Sequence, residues 1–169
     1  MAFTAQDVKK LREMTNVGMM DCKKALQATD GDMDKAVEWL REKGLAKAAK
    51  KADRVAAEGV AYAAVIDGCG VVIEVNSETD FAAKTDAFMD LVKKLAQIVA
   101  EQNPADVEAL KACKYPGTDL TVTEVMQEKV MSIGENMQIR RFARFPENTS
   151  VAYVHAGGTH GVLVNLAVE

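Results

Sequence analysis

The chain has 169 residues, with 21 Lys and Arg against 25 Asp and Glu, a formal net charge of −4 and a hydrophobic fraction of 49%. This composition excludes a disordered chain, a collagen-like repeat, a coiled-coil rod and a generally basic nucleic-acid binder, and leaves room for one ordinary domain or two small ones. Three cysteines, Cys22, Cys69 and Cys113, form no Cys-x-x-Cys pair, which fits free thiols in a reducing compartment better than a disulfide framework or a zinc finger.

The first residues lack the basic start and apolar run of a signal peptide, and no stretch approaches the roughly 20 apolar residues of a membrane span. A soluble cytoplasmic protein without a membrane partner is therefore expected. Thr4 with Asp7 three residues later makes a capping signal, followed by Val8, Leu11 and Met14 at helical spacing. Gly18 interrupts, Asp21 can cap a second helix through Ala28, and Thr29-Asp30-Gly31 reads as a turn. Asp32 caps a third helix carrying Ala36, Val37 and Leu40, with Gly44 as its expected stop. Residues 1–44 thus form a small three-helix module. Residues 45–58, rich in Ala and Lys, are expected to continue as a helical linker.

At Gly59 the pattern turns to β. Val60 to Ile66, the turn signal Asp67-Gly68-Cys69-Gly70, and Val71 to Asn76 predict a hairpin. The polar corner Ser77-Glu78-Thr79-Asp80 precedes a long amphipathic helix with Phe88, Leu91, Val92, Leu95, Ile98 and Val99, which breaks before Pro104. An irregular or weakly helical stretch follows to Leu120. Thr121 or Thr123 can cap a further helix closed by Gly134, and Met137 to Phe145 alternates partly like a strand. Finally, Val60-Ala61-Tyr62 and Gly70-Val71-Val72-Ile73-Glu74-Val75 are echoed by Val151-Ala152-Tyr153 and Gly161-Val162-Leu163-Val164-Asn165-Leu166. The spacing inside the two copies is the same, so the hairpin reads as repeated and the core as built from related halves. The expected fold class is α+β: the docking-sized module over 1–44, the linker over 45–58, a first half of the core over 59–146, and the opening hairpin of a second half over 147–169.

Enzyme chemistry is poorly supported. His155 and His160 flank a glycine-rich turn without a local acidic or thiol partner, Cys22 beside Lys23 and Lys24 reads as a partly buried inert thiol, and the glycine patterns match neither a dinucleotide loop nor a P-loop. No catalytic residue, metal set or cofactor is expected. The basic run Lys47, Lys50, Lys51 and Arg54 reads as a solvated helix face. Met19-Met20 after Gly18 forms an adaptable docking patch or fills the core. From pattern alone, Asp80-Phe81 reads as a cap with a staple, the alternative being a ring that projects outward.

Leu11-Arg12-Glu13, Thr15, Gly18-Met19-Met20-Asp21-Cys22-Lys23-Lys24-Ala25-Leu26, then Lys47-Ala48-Ala49-Lys50-Lys51-Ala52, Glu74-Val75-Asn76 with Glu78-Thr79-Asp80-Phe81, and Ile133-Gly134-Glu135-Asn136 with Arg140-Arg141 stand in the order found in one family. Together they closely resemble bacterial translation elongation factor Ts. The resemblance implies a guanine nucleotide exchange factor whose partner is the GTPase elongation factor Tu, with no bond-making chemistry and no direct nucleic-acid partner. It also implies that residues 1–44 are similar to ubiquitin-associated modules. Residue by residue, Leu11, Arg12, Met19, Met20 and Lys23 match the module's docking positions, and Lys51 and Asn76 match supporting contacts. Thr79, Asp80 and Phe81 match the region that disturbs the partner's magnesium site. This implication replaces the staple reading of Phe81 with the outward one. Ile133, Gly134 and His155 match further contacts. Ala82 stands where the family often has valine, and His160 is an unusual second histidine. The resemblance further implies a chain lacking its C-terminal part, and a homodimer or heterotetramer in the full-length family. The alternative is a ubiquitin-associated-like scaffold or peptide-binding protein, which accounts for Gly18-Met19-Met20 but not for Asp80-Phe81.

Overall fold

A computed structural model describes residues 3–167. They fall into two compact units, Met1–Asp53 with Gln127–Gly134, and Arg54–Met126 with Glu135–Glu169.

In the first unit, α1 (Ala5–Thr15) opens with the expected box: the Thr4 hydroxyl accepts from the Asp7 amide, and the Asp7 carboxylate accepts from the Thr4 amide at 2.7 Å. Two of the orphan amides at the helix start are thereby satisfied. The second helix, α2 (Met19–Ala28), departs from the expectation. Gly18, extended at φ −58 and ψ 141, is its N-cap, and no side chain caps it. Asp21 instead pairs with Lys47 at 2.7 Å, so Met19 and Met20 lie in the first turn of a helix rather than on a loop. The third helix also differs: α3 runs Met33–Lys51, straight through Gly44. Glycine costs only about 1 kcal/mol inside a helix, and the missing side chain lets the Met131 sulfur approach to 3.4 Å of where a Cβ would stand. The linker is accordingly helical only to Lys51, and 52–57 is irregular. Val8, Leu11, Val17, Cys22, Ala25, Leu26, Ala36 and Leu40 form the core, with Trp39 and Met131 packed against it.

In the second unit, β1 (Glu58–Ile66) and β2 (Cys69–Ser77) pair antiparallel across Asp67 and Gly68, both at positive φ (48 and 81). Those angles suit the two-residue hairpin turn that the sequence announced. Strand β3 (Met137–Phe145) completes a sheet in the order β1-β2-β3, with a register shift between Glu74 and Val75. Helices α4 (Asp80–Ala83), α5 (Asp86–Gln102), α6 (Val107–Ala112) and α7 (Val122–Ile133) lie between β2 and β3 in sequence. Thr79 caps α4 and Thr85 caps α5, so the polar corner leads into two helices instead of one. Phe88, Leu91, Val92, Leu95, Ile98 and Val99 of α5 are completely buried. Each such side chain contributes about 1.5–3 kcal/mol of transfer free energy.

The repeated hairpin is present as β4 (Thr149–His155) and β5 (His160–Leu166), a separate two-stranded sheet. It packs on the first sheet with so little clearance that a Cβ at Gly70 would lie 2.4 Å from Ser150 Oγ, and one at Gly161 2.7 Å from the Ala61 carbonyl oxygen. Alternation along β2 therefore directs Gly70 and Val72 toward the second hairpin, and Val71, Ile73 and Val75 toward α5, where they are buried. The corresponding side chains of the second copy, Val162, Val164 and Leu166, are 46%, 48% and 53% exposed.

Candidate functional site

The matched positions of the first unit divide into framework and surface. Leu11 is fully buried in the three-helix core, so the expectation that it touches a partner is corrected: its aliphatic side chain holds α1 against its neighbours. Arg12 and Lys23 are exposed. Met19 is 45% and Met20 64% exposed, and they present flexible apolar groups at the start of α2. Lys51 Nζ donates to the carbonyl of Gly134, the residue at φ +91 that ends α7 beyond half-buried Ile133. Lys51, Ile133 and Gly134 are thus brought together although more than eighty residues separate them in sequence. The basic run is largely engaged within the fold: Lys47 holds Asp21, Lys51 holds Gly134, and Arg54 lies 3.5 Å from Glu78. Cys22 is buried, its thiol donates to the Val17 carbonyl at 3.5 Å, and burial raises its pKa above the usual value. It is a core group, as the inert-thiol reading expected.

The second unit carries the display. Thr79, not Asp80, is the N-cap of α4, its hydroxyl accepting from the Ala82 amide at 3.3 Å. Asp80 is therefore free of capping duty. Its carboxylate accepts from Lys84 Nζ at 2.6 Å, and this hydrogen bond is the main cause holding its pKa below the usual 3.8. Phe81 follows, 81% exposed. That excludes a hydrophobic staple: the ring projects outward while Ala82 and Ala83 of the same turn, 6% and 3% exposed, anchor it. Asn76 is nearly buried on β2, where its amide donates to the Glu58 carbonyl at 3.0 Å, so it supports the base of the hairpin. His155 ends β4 in an exposed position, with Nδ1 3.0 Å from the Tyr153 hydroxyl and its cross-strand partner His160 at 6.0 Å between ring centroids.

Side chains to which sequence reasoning gave no role complete the geometry. Glu135 accepts from the Thr79 amide at 2.9 Å and from the Thr79 hydroxyl at 2.6 Å. Reciprocally, Glu78 accepts from the Asn136 amide at 2.7 Å, and Asn136 Nδ2 donates to the Arg54 carbonyl at 2.8 Å. Partners 56 and 58 residues apart leave no local signal. Glu74 gathers Arg141 at 2.7 Å and Arg140 at 4.0 Å, because the bulge at the Glu74/Val75 register shift brings consecutive arginines to one carboxylate. A cleft of about 490 Å³ beside these groups is lined by Glu58, Glu74, Asn76, Asp80, Lys84 and Arg141, with the turn 156–159. Within it Asp80 pairs with Lys84 and Glu74 with Arg141.

The chain is similar in sequence to known proteins along its length. The family model described as elongation factor TS matches residues 78–169. The chain is 51% identical to elongation factor Ts of Trichlorobacter lovleyi, covering 100% of this chain and 56% of the relative. It is 49% identical to that of Syntrophotalea carbinolica, over 98% and 55%, and 52% identical to that of Clostridium perfringens, over 99% and 56%. The chain therefore spans little more than half the length of these relatives.

Proposed function

Because the chain belongs to the elongation factor Ts family, we propose that it acts in translation elongation as a guanine nucleotide exchange factor, binding elongation factor Tu and promoting release of GDP. The observation that carries this reading is Phe81: a large apolar ring, 81% exposed, held on a single helical turn whose other side is anchored in the core. An aromatic group left in water on a fixed support is suited to insertion into another protein. In the proposed complex Phe81 and Asp80, with Thr79 at their base, enter the GTPase beside its magnesium and phosphate site. Met19, Met20, Arg12 and Lys23 supply binding energy elsewhere, and Ile133, Gly134, Lys51 and His155 add contacts.

Exchange follows from linkage. A protein that binds the empty, metal-free GTPase better than the GDP-bound form weakens GDP by the same factor. The ring supplies that difference if it fits only after the elements holding magnesium have moved, while contacts equal in both states add affinity without adding rate. No covalent bond is made or broken. Lys84 releases Asp80 as the carboxylate enters the partner, and breaking this exposed ion pair costs little. No helix among the described residues is long and apolar enough to cross a membrane, and the proposed site of action is the cytoplasm. The test is release of a fluorescent GDP from purified elongation factor Tu. Acceleration proportional to added protein supports the proposal, and an unchanged spontaneous rate at saturating protein removes it.

A further inference from the structure

We propose that Glu135 is a positioning residue for Phe81, setting the direction in which the ring is presented; this rests on the exchange reading above. Helix α4 has four residues, Asp80–Ala83. One turn fixes several backbone dihedrals for a single hydrogen bond and does not hold itself, so its orientation comes from what grips its ends. The N-terminal grip is Thr79. Its hydroxyl caps Ala82 while its own O–H and N–H both donate to the Glu135 carboxylate, at 2.6 Å and 2.9 Å. The carboxylate thus orients the threonine hydroxyl so that its lone pair faces the helix, and the cap and the clamp are the same atom. Glu78 and the backbone amide of Asn136 close the opposite side at 2.7 Å, which makes the two segments hold each other reciprocally. Thr79 and Phe81 are two residues apart, so a rotation of Thr79 is transmitted directly to the ring.

The clamp is placed for orientation more than for stability. The bonds between Glu135 and Thr79 lie at the surface, where water replaces a lost partner at small cost. Burial of Ala82 and Ala83 keeps the turn attached without them. Loss of Glu135 therefore leaves a folded protein whose Phe81 samples several directions, and the ordering has to be supplied during insertion.

The experiment is a double-mutant cycle on stimulated GDP release, with thermal melts of every variant. Glu135→Ala is expected to lower the maximal stimulated rate about three- to tenfold, the effect of one or two hydrogen bonds, with the melting temperature nearly unchanged. Glu135→Gln, which keeps one oxygen acceptor and can donate to the threonine hydroxyl, is expected to fall between Ala and the parent. In a Phe81→Ala background, Glu135→Ala is expected to add no further loss. Additive losses, or full activity of Glu135→Ala while Phe81→Ala is impaired, overturn the positioning role and leave the exchange reading standing. Full activity of Phe81→Ala overturns the positioning role together with the ring's part in displacement, and an unchanged spontaneous rate with the parent protein overturns the exchange reading itself. Should Glu135→Ala fail to fold, the same cycle with Glu135→Gln decides: a partial loss that disappears in the Phe81→Ala background supports the clamp, and an additive or absent loss refutes it.

Discussion

Replacing Phe81 by alanine separates the fold from the proposed function more cleanly than any other change. The side chain is 81% exposed, so removing it takes almost nothing from the core, and its effect on folding should stay within the roughly 0.5 kcal/mol typical of surface substitutions. Alanine also suits a helical first turn. In the proposed complex the same ring passes from water into the interior of the GTPase, and full burial of a phenyl group is worth about 1.5–3 kcal/mol. If that burial occurs only in the displaced state, the stimulated release rate falls by about 10- to 150-fold. The assay is stopped-flow release of fluorescent GDP from elongation factor Tu at saturating exchange factor, beside urea unfolding of the mutant alone. A mutant equal to the parent in stability, with a release rate within about twofold of it, would show that the ring does not drive displacement.

Three further outcomes are expected. Met20→Ala, at a 64% exposed position in the first turn of α2, should weaken the complex about tenfold in a titration while the melting curve stays in place; an unchanged Kd would remove Met20 from the interface. Gly158→Ala should destabilise the second unit by about 2–4 kcal/mol, since φ is +105 and a Cβ would lie 2.6 Å from Val60 Cγ1. Gly157→Ala, with nothing within 4 Å at φ +67, should cost only about 1 kcal/mol, and equal losses in urea unfolding would contradict the close approach. The carboxyls of Asp7 and Asp32, both lowered from 3.8 chiefly by backbone hydrogen bonds at helix starts, contribute stability that is present above pH 3.8. It is lost as pH falls through their lower folded values. NMR titration should place both below 3.8, and values at or above it would mean that the caps are open in solution.

Most elements were legible because they are encoded locally. Thr4 with Asp7, Asp67-Gly68 and the apolar stripe of α5 carry their own geometry in a few adjacent residues, and the hairpin repeat announced itself by matching side chains. The misreadings share a physical cause in distant partners. Gly44 looked like a helix stop because Met131 is not near it in sequence, and Asp21 looked like a cap because Lys47 is not. Asp80 resembles in pattern the cap that Thr79 provides, two adjacent polar residues being interchangeable there. Phe81 reads as a staple for a similar reason: periodicity can mark an apolar residue but not whether its own chain covers it. Leu11 shows the reverse limit, since a matching motif does not distinguish the residue that touches from the one that supports. Glu135 lay inside a recognised motif, yet its role depends on Thr79 reaching it from another segment.

The two hairpins make the same side-chain pattern serve under two conditions within one molecule. In the first, Val71, Ile73 and Val75 lie under α5 and the sheet has a third strand. In the second, Val162, Val164 and Leu166 face solvent, and both strands are edges of a two-stranded ladder. Opening the first hairpin exposes buried apolar surface and breaks two ladders, whereas opening the second exposes mainly the side that rests on β1 and β2. Local stability is consequently graded across the repeat, with the first copy tied to global unfolding and the second to a lower-energy, sub-global opening. A repeated side-chain pattern thus yields two different lifetimes for the closed state, and His155 sits on the copy that opens more readily.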